Sequence, residues 1–433
     1  MKPTHKQMGP IPLPFAGQQG NLVIAGKIWE QWIEITGDTP LFIYDFGIVA
    51  SQIAALRAAL PNGIGIHYAV KANPFPPLVR AIAPLVDGLD IASAGELALV
   101  TREAPGLPVS FAGPGKRDDA LAAAISAGAT INLESAGEAA RALAIGDRLG
   151  VAPQLAVRVN PSFELRGSGM RMGGRASPFG VDADAVPPLV AMIRSAGALW
   201  RGLHIFAGSQ TLDTAGIIEM QAATLALAGN LADQIGTAPP LVNLGGGFGI
   251  PYFPGDTPVD VAAIGAALGD AMASMPASLD GSSFAVELGR WLVGMCGVYL
   301  TRIVDRKESR GETFLVTDGG LHHQLAASGN FGTVVRRNYP VAVAHRMGET
   351  STETVTVVGC LCTPLDRLAD QIALPHAAPG DVIAVFLAGA YGLSASPTAF
   401  LGHPLPTQVL GGLPDNPNAI FTSSTDTAGH SYV

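Results

Sequence analysis

The chain has 433 residues, 48% hydrophobic and only 14% charged, with a net charge of −9. That length allows a large core and a second domain, and the thinly charged surface is that of a soluble enzyme that buries area in an oligomer interface. The acidic balance, with no basic patch beyond the pair Arg336-Arg337, argues against a nucleic-acid partner, and no uninterrupted apolar run is long enough to span a bilayer.

Residues 1–20 carry lysines, but Pro10, Pro12 and Pro14 stand where a signal peptide needs an apolar helix. Residues 1–40 are therefore read as an N-terminal segment that joins a β domain, in a cytoplasmic protein. From 66 to 288 the texture alternates. β-rich runs occur at 66–71, 88–92, 109–113, 130–134, 155–160, 202–207, 241–245 and 283–288. Ala- and Leu-rich helical stretches such as 117–127, 135–149 and 213–236 lie between them. This alternation predicts an α/β fold, a (β/α)8 TIM-like barrel over 41–290, with an open doubly wound sheet as the competitor. Beyond 290, the runs 297–304, 313–317, 353–358 and 382–388 are β-branched and aromatic, separated by turn signals such as Pro379-Gly380-Asp381. They predict a second all-β domain over 291–433, a sandwich or barrel. The cysteines are Cys296, Cys360 and Cys362, too few and odd in number for a disulfide scaffold. Cys360 and Cys362 would share one strand face. With no second Cys or His pair close in sequence, no metal site is expected there.

The ends of the barrel runs carry the chemistry. In a parallel barrel they share one rim, so Lys71, Ser93, Gly113, Glu134, Asn160, Gly208, Gly245 and Glu287 are brought together. Lys71, one of six lysines, is placed where a strand leaves the core. A desolvated amine there is the nucleophile that Schiff-base chemistry needs, although a lysine with its head in water is the plainer alternative. Gly245-Gly246-Gly247 lets backbone N–H groups close on a phosphate, or is simply a tight turn. It lacks the GxGxxG spacing of a dinucleotide fold. Glu287 would be buried and needs a partner. That partner is either Arg290 or a protonated ring nitrogen, and in the second case Arg290 would hold a phosphate. Phe206 shares a face with His204 and could stack on a planar group. Ser209 adds a hydroxyl. Together these residues describe a pyridoxal 5′-phosphate site, in which a protonated pyridine acts as an electron sink.

The motifs YAVKAN, INLES, GLHIFAGSQ, NLGGGFGIPY, ELGR, GCLCTPLD and GAYG, spread over about 40–410, resemble those of the fold-type III pyridoxal phosphate decarboxylases, the group containing diaminopimelate, ornithine and arginine decarboxylases. The resemblance implies an alanine racemase-like barrel plus β domain and a head-to-tail homodimer with shared active sites. It implies that Lys71 forms the Schiff base, that Glu287 partners the pyridine nitrogen, and that Gly246, Gly247, Ser209, Arg290 and Tyr391 hold the phosphate. Asp90 and Ser93 would lie near the cofactor. Cys362 would reprotonate Cα, supplied, like Tyr391, by the partner chain. Thr363, Asp366 and Tyr391 would face the substrate.

Three departures bear on substrate. Phe206 replaces the histidine that usually stacks on the cofactor ring. Thr363, followed by Pro364, replaces the acid that holds a distal amine, and losing such a partner for a buried ammonium costs about 3–5 kcal/mol. The stretch Asp318-Gly319-Gly320-Leu321-His322-His323 and the residues after it lack the arginine that binds a substrate carboxylate. CTPLD, DGGLHH and ASGNFG resemble a subgroup associated with exosortase and exopolysaccharide loci, and enzymes acting on aminoacyl groups tethered to a carrier protein. The expected function is an α-decarboxylase acting through a lysine Schiff base on an amino acid or a carrier-bound aminoacyl group. Diaminopimelate decarboxylation in lysine biosynthesis and amino-acid racemisation on the same fold are the alternatives. His322 and His323 either line the pocket or are structural.

Overall fold

A computed structural model describes residues 5–15, 17–161, 163, 170–171, 176–329, 336–413 and 420–422. Residues 330–332 of the ASGNFG motif, and both ends of the expected β domain at 1–4 and 423–433, lie outside these. The chain divides into two compact units. One comprises Ala50–Ile250 and Thr257–Leu292, the other Met1–Val49, Pro251–Asp256 and Val293–Val433.

The first unit is a closed parallel barrel. Its eight strands are Ile64–Ala69, Gly88–Ile91, Val109–Phe111, Thr130–Leu133, Gln154–Asn160, Leu199–Ile205, Leu241–Gly246 and Ser283–Leu288. Each pairs with its neighbours in chain order, and the eighth closes on the first through Glu287 opposite His67 and Leu288 opposite Tyr68. Closure rules out the open sheet. The strands are nearly continuous apolar runs because helices cover the outside while side chains fill the inside.

Local chemistry fixes where helices begin. Ser93 Oγ accepts from the Glu96 N–H, and Glu96 Oε2 accepts from the Ala92 N–H. Ser135 and Glu138 repeat the pattern, with the Glu134 N–H donating to Glu138 Oε2. Both serines are N-caps, each backed by a glutamate that reaches past the cap to the preceding N–H, so Ser93 and the serine of INLES have a structural task. The helix Ala136–Leu149 then stops at Gly150, whose φ of +66° is the left-handed conformation of a helix C-terminus.

The second unit is β-rich. The strand Gly297–Ser309 is its spine. It pairs antiparallel with Leu41–Asp45, Val382–Phe386 and Glu312–Thr317. Glu312–Thr317 continues the sheet to Glu353–Val358 and Arg367–Leu374. Leu41–Asp45 lies within the range expected for the barrel. The structure gives it to the β sheet, because Leu41, Phe42, Ile43 and Tyr44 stand opposite Leu300, Tyr299, Val298 and Gly297. Phe42 and Tyr299 bring their ring centroids to 4.7 Å in this core. Among the described residues no helix is long and apolar enough to cross a membrane.

Candidate active site at the barrel rim

The first strand ends at Ala69, two residues short of the expected boundary, and Lys71 sits in the 3-10 turn Val70–Ala72. The turn is set by Asn73, whose backbone oxygen accepts from the Tyr68 hydroxyl (2.9 Å) and whose side-chain oxygen accepts from the Phe75 N–H (3.1 Å). Lys71 is not desolvated as expected. Its side chain is 46% exposed, because the turn lifts it off the strand onto the rim. Its Nζ lies 3.8 Å from Glu287 Oε1 and 5.8 Å from the centre of the Phe206 ring.

Glu287 is only 5% exposed, on the eighth strand. Its Oε2 lies 2.8 Å from His204 Nε2 of the sixth strand. Burial alone raises a carboxyl pKa, but here the hydrogen bond from His204 and the charge of Lys71 outweigh it and hold Glu287 well below the ordinary range. The residue is therefore an anion inside the barrel, with Lys71 near one carboxylate oxygen and His204 at the other. Sequence alone does not reveal the His204 contribution. Period two places His204 and Phe206 on one face, but nothing local shows that this face meets Glu287.

Beside Glu287, on the first and second strands, His67 and Asp90 are buried, with His67 Nδ1 3.4 Å from Asp90 Oδ2. Burial disfavours charge on His67, yet Asp90 and Glu287 together raise its pKa. Gly88, facing His67 in register, has to be glycine, since a Cβ there would collide with the imidazole. On the other side of the rim Glu134 pairs with Arg158 at 2.9 Å and accepts from the N–H groups of Gly113 and Gly180, each at 2.7 Å.

The glycine turn follows the seventh strand. Gly245 and Gly247 have φ of +70° and +83°, values that other residues adopt at a cost. The Gly245 N–H donates to Asn243 Oδ1 at 2.9 Å, across a register shift between Asn243 and Gly246. Ser209 lies in a two-residue strand pairing with Met170–Arg171, and Arg290 opens the short helix Arg290–Val293 directly after the eighth strand. Lys71, Asp90, Phe206, Ser209, Gly246, Gly247, Glu287 and Arg290 thus all belong to the barrel unit.

The remaining expected residues belong to the β-rich unit. Cys360 and Cys362 do not share a strand face. They lie in the bend between Glu353–Val358 and Arg367–Leu374, with Cys362 exposed and Cys360 half-buried. Thr363 lies in the same bend, and its hydroxyl accepts from the Leu365 N–H at 3.3 Å. Tyr391 adopts a positive φ of +53° after the strand Val382–Phe386. Asp366 departs from its expected substrate role. It is buried, and its two carboxylate oxygens accept from the N–H groups of Leu321 (2.7 Å) and Leu361 (2.9 Å). His323 is structural: its Nδ1 meets the Tyr299 hydroxyl and its Nε2 the Pro404 carbonyl, both at 3.1 Å.

Residues 47–294 match the family model described as pyridoxal-dependent decarboxylase, pyridoxal binding domain. An L-glutamyl-[BtrI acyl-carrier protein] decarboxylase of Niallia circulans is 34% identical over 380 residues, covering 86% of this chain and 89% of that protein. A diaminopimelate decarboxylase of Archaeoglobus fulgidus is 30% identical over 399 residues, covering 92% and 93%. Among solved structures, AQ1208 from Aquifex aeolicus aligns with a TM-score of 0.79 at 27% identity, covering 94% of each chain.

Proposed function

We propose, for a chain that belongs to the fold-type III pyridoxal-dependent decarboxylases, that it binds pyridoxal 5′-phosphate at the barrel rim and decarboxylates a carrier-bound aminoacyl group lacking a distal ammonium. The donor set fits the cofactor. A primary amine, a buried carboxylate anion and an aromatic face stand within one rim, with Lys71 3.8 Å from Glu287 and 5.8 Å from the Phe206 ring centre. Lys71 would hold the aldehyde carbon, Glu287 the ring nitrogen and Phe206 the ring face. Gly246, Gly247, Ser209 and Arg290 would hold the phosphate. When bound, the group supplies a sink for the electron pair that departing carbon dioxide leaves behind.

The chain's own residues do the rest. Glu287, anionic because His204 and Lys71 flank it, keeps a proton on whatever nitrogen it faces. Phe206 offers an apolar surface without a proton of its own. Cys362 carries a free thiol in an exposed bend and gives its proton to Cα once the carboxylate has left. In the head-to-tail homodimer that we infer for this cytoplasmic enzyme, Cys362 and Tyr391 come from the second subunit.

The observation that carries the substrate reading is Thr363, in the residue position after Cys362. A neutral hydroxyl, already accepting from the Leu365 N–H, cannot pair with a desolvated ammonium, whose lack of a partner costs about 3–5 kcal/mol. The Niallia circulans relative, named for a glutamyl group on an acyl-carrier protein, supports the same choice. Purified cofactor-loaded protein is offered a glutamyl thioester on an acyl-carrier protein and, separately, free diaminopimelate and ornithine. Carbon dioxide is expected from the tethered group. Rapid release from either free diamino acid overturns the substrate reading, and loss of optical rotation without carbon dioxide marks a racemase.

A further inference from the structure

Three loops of the β-rich unit meet at a cluster that decarboxylation leaves unused. His322 lies in the turn after Glu312–Thr317, Cys360 in the bend after Glu353–Val358, and His403 just beyond the 3-10 turn Phe400–Gly402. One donor atom from each lies within 4.8 Å of the others. Cys360 Sγ is 3.8 Å from His403 Nε2 and 3.9 Å from its Nδ1, and the His322 and His403 ring centroids are 5.0 Å apart.

The decisive residue is His322. It is 0% exposed, and among the described residues neither ring nitrogen has a hydrogen-bond partner. A histidine buried for packing finds partners for its nitrogens, since unmet polar atoms in the interior are costly. Its neighbour His323 shows this, with both nitrogens bonded. His322 is buried equally deeply, and one of its nitrogens is turned toward a thiol and a second imidazole. We propose that His322, Cys360 and His403 bind a divalent cation of the zinc class.

The donor set selects the ion. Two imidazoles and a thiolate suit Zn²⁺ and its analogue Co²⁺, whereas Ca²⁺ and Mg²⁺ need oxygen ligands. Tetrahedral Zn–N and Zn–S bonds place donors about 3.4–3.6 Å apart. The sulfur–imidazole separation of 3.8 Å is close to this, and the remaining closure is available by rotating Cys360 and His403, both half-buried. Binding displaces the thiol proton to solvent and leaves a fourth position for water.

The flanks of all three ligands are already anchored. Asp366 ties the Leu321 and Leu361 amides, each adjacent to a ligand, onto one carboxylate. His323 holds the Pro404 carbonyl, adjacent to His403. Such supporting contacts are what orient the ligands of a metal. An ion here clamps the bend that carries Cys362 and Thr363.

Full-length protein, freed of metal by chelation and kept reduced, is titrated with Co²⁺. One equivalent is expected to give the intense red ligand-field bands of four-coordinate cobalt and a near-ultraviolet thiolate-to-cobalt band, both bleached by Zn²⁺. The charge-transfer band disappears in Cys360→Ser and persists in Cys362→Ser. His403→Gln, at a partly exposed position, keeps the band and weakens binding by more than about 10-fold, the least that disturbing a ligand's surroundings costs. Weak six-coordinate spectra, a charge-transfer band that survives Cys360→Ser or vanishes in Cys362→Ser, or unchanged affinity in His403→Gln overturns the proposal. If Cys360→Ser fails to fold, the His403→Gln titration decides the question by itself.

Discussion

Glu287→Gln tests the electrostatic centre of the barrel. The substitution keeps shape and an acceptor for His204, 2.8 Å away, and removes the charge. At about 4 Å and an effective dielectric of 20, the attraction between Lys71 and Glu287 would be about 4 kcal/mol. Lys71 is 46% exposed, so solvent screening reduces this to about 1 kcal/mol, and the variant folds. Its deficit falls on the reaction. A charge-assisted hydrogen bond from Glu287 to a protonated ring nitrogen is worth about 1.5–3 kcal/mol, and the amide cannot keep that nitrogen protonated. Taking about 1.5–3 kcal/mol off transition-state stabilisation lowers kcat about 10- to 150-fold. Initial rates of carbon dioxide release give kcat, and the visible absorbance of bound pyridoxal phosphate, followed against pH, reports the ring's protonation. A purely architectural Glu287 would lower the melting temperature and leave that absorbance alone. A variant that retains cofactor and loses less than about threefold in kcat refutes the assignment.

Borohydride treatment of the parent with pyridoxal phosphate is expected to fix the cofactor on the peptide containing Lys71, read by mass spectrometry. Equal labelling of Lys71→Ala would show that another amine does the work. Glu134 is held below its ordinary pKa of 4.5, since Arg158 and the Gly180 and Gly113 amides outweigh burial. Its stabilisation is therefore complete above that pH and lost as pH falls toward the lower folded value, because the unfolded chain binds the proton first. Glu134→Gln should lower the melting temperature at neutral pH and flatten its decline as pH falls below about 5. An unchanged slope would mean that the Glu134 network contributes nothing to acid stability.

The barrel was legible because each of its strands announces itself locally. A parallel strand buried on both faces is a short apolar run, and the serines that follow two of these runs are the N-caps that start the next helices. Lys71 illustrates the limit of that reading. The apolar run continues to Val70, so sequence extends the strand to Lys71, whereas the Tyr68 and Asn73 hydrogen bonds curl the chain into a turn first and leave the amine half in solvent. Leu41–Asp45 shows another limit. LFIYD reads equally well as a barrel strand, and its assignment to the β sheet is decided by partners more than 250 residues away in the chain, as in the pairing of Leu41 with Leu300. The Glu287–His204 contact is hidden for the same reason, spanning 83 residues and existing because the cylinder closes.

Asp366 shows why a carboxylate's role escapes sequence when its partners are backbone. Side-chain pattern cannot separate an acid that faces a ligand from one that faces two amides, because amides leave no residue signature. The available signal is in the glycines. A Cβ at Gly320 or at Gly359 would collide with the Asp366 oxygens, so both loops must be bare where they fold over the carboxylate. Glycine in DGG and in VVGC is then required by the same buried acid, and DGGLHH, GCLC and the final aspartate of CTPLD become parts of one device. Asp366 brings Leu321 beside Leu361. His322 and Cys360, the residues next to these two, are thereby placed within donor distance of each other and of His403. The acid that sequence assigns to substrate therefore acts on the geometry of the thiol and imidazole cluster.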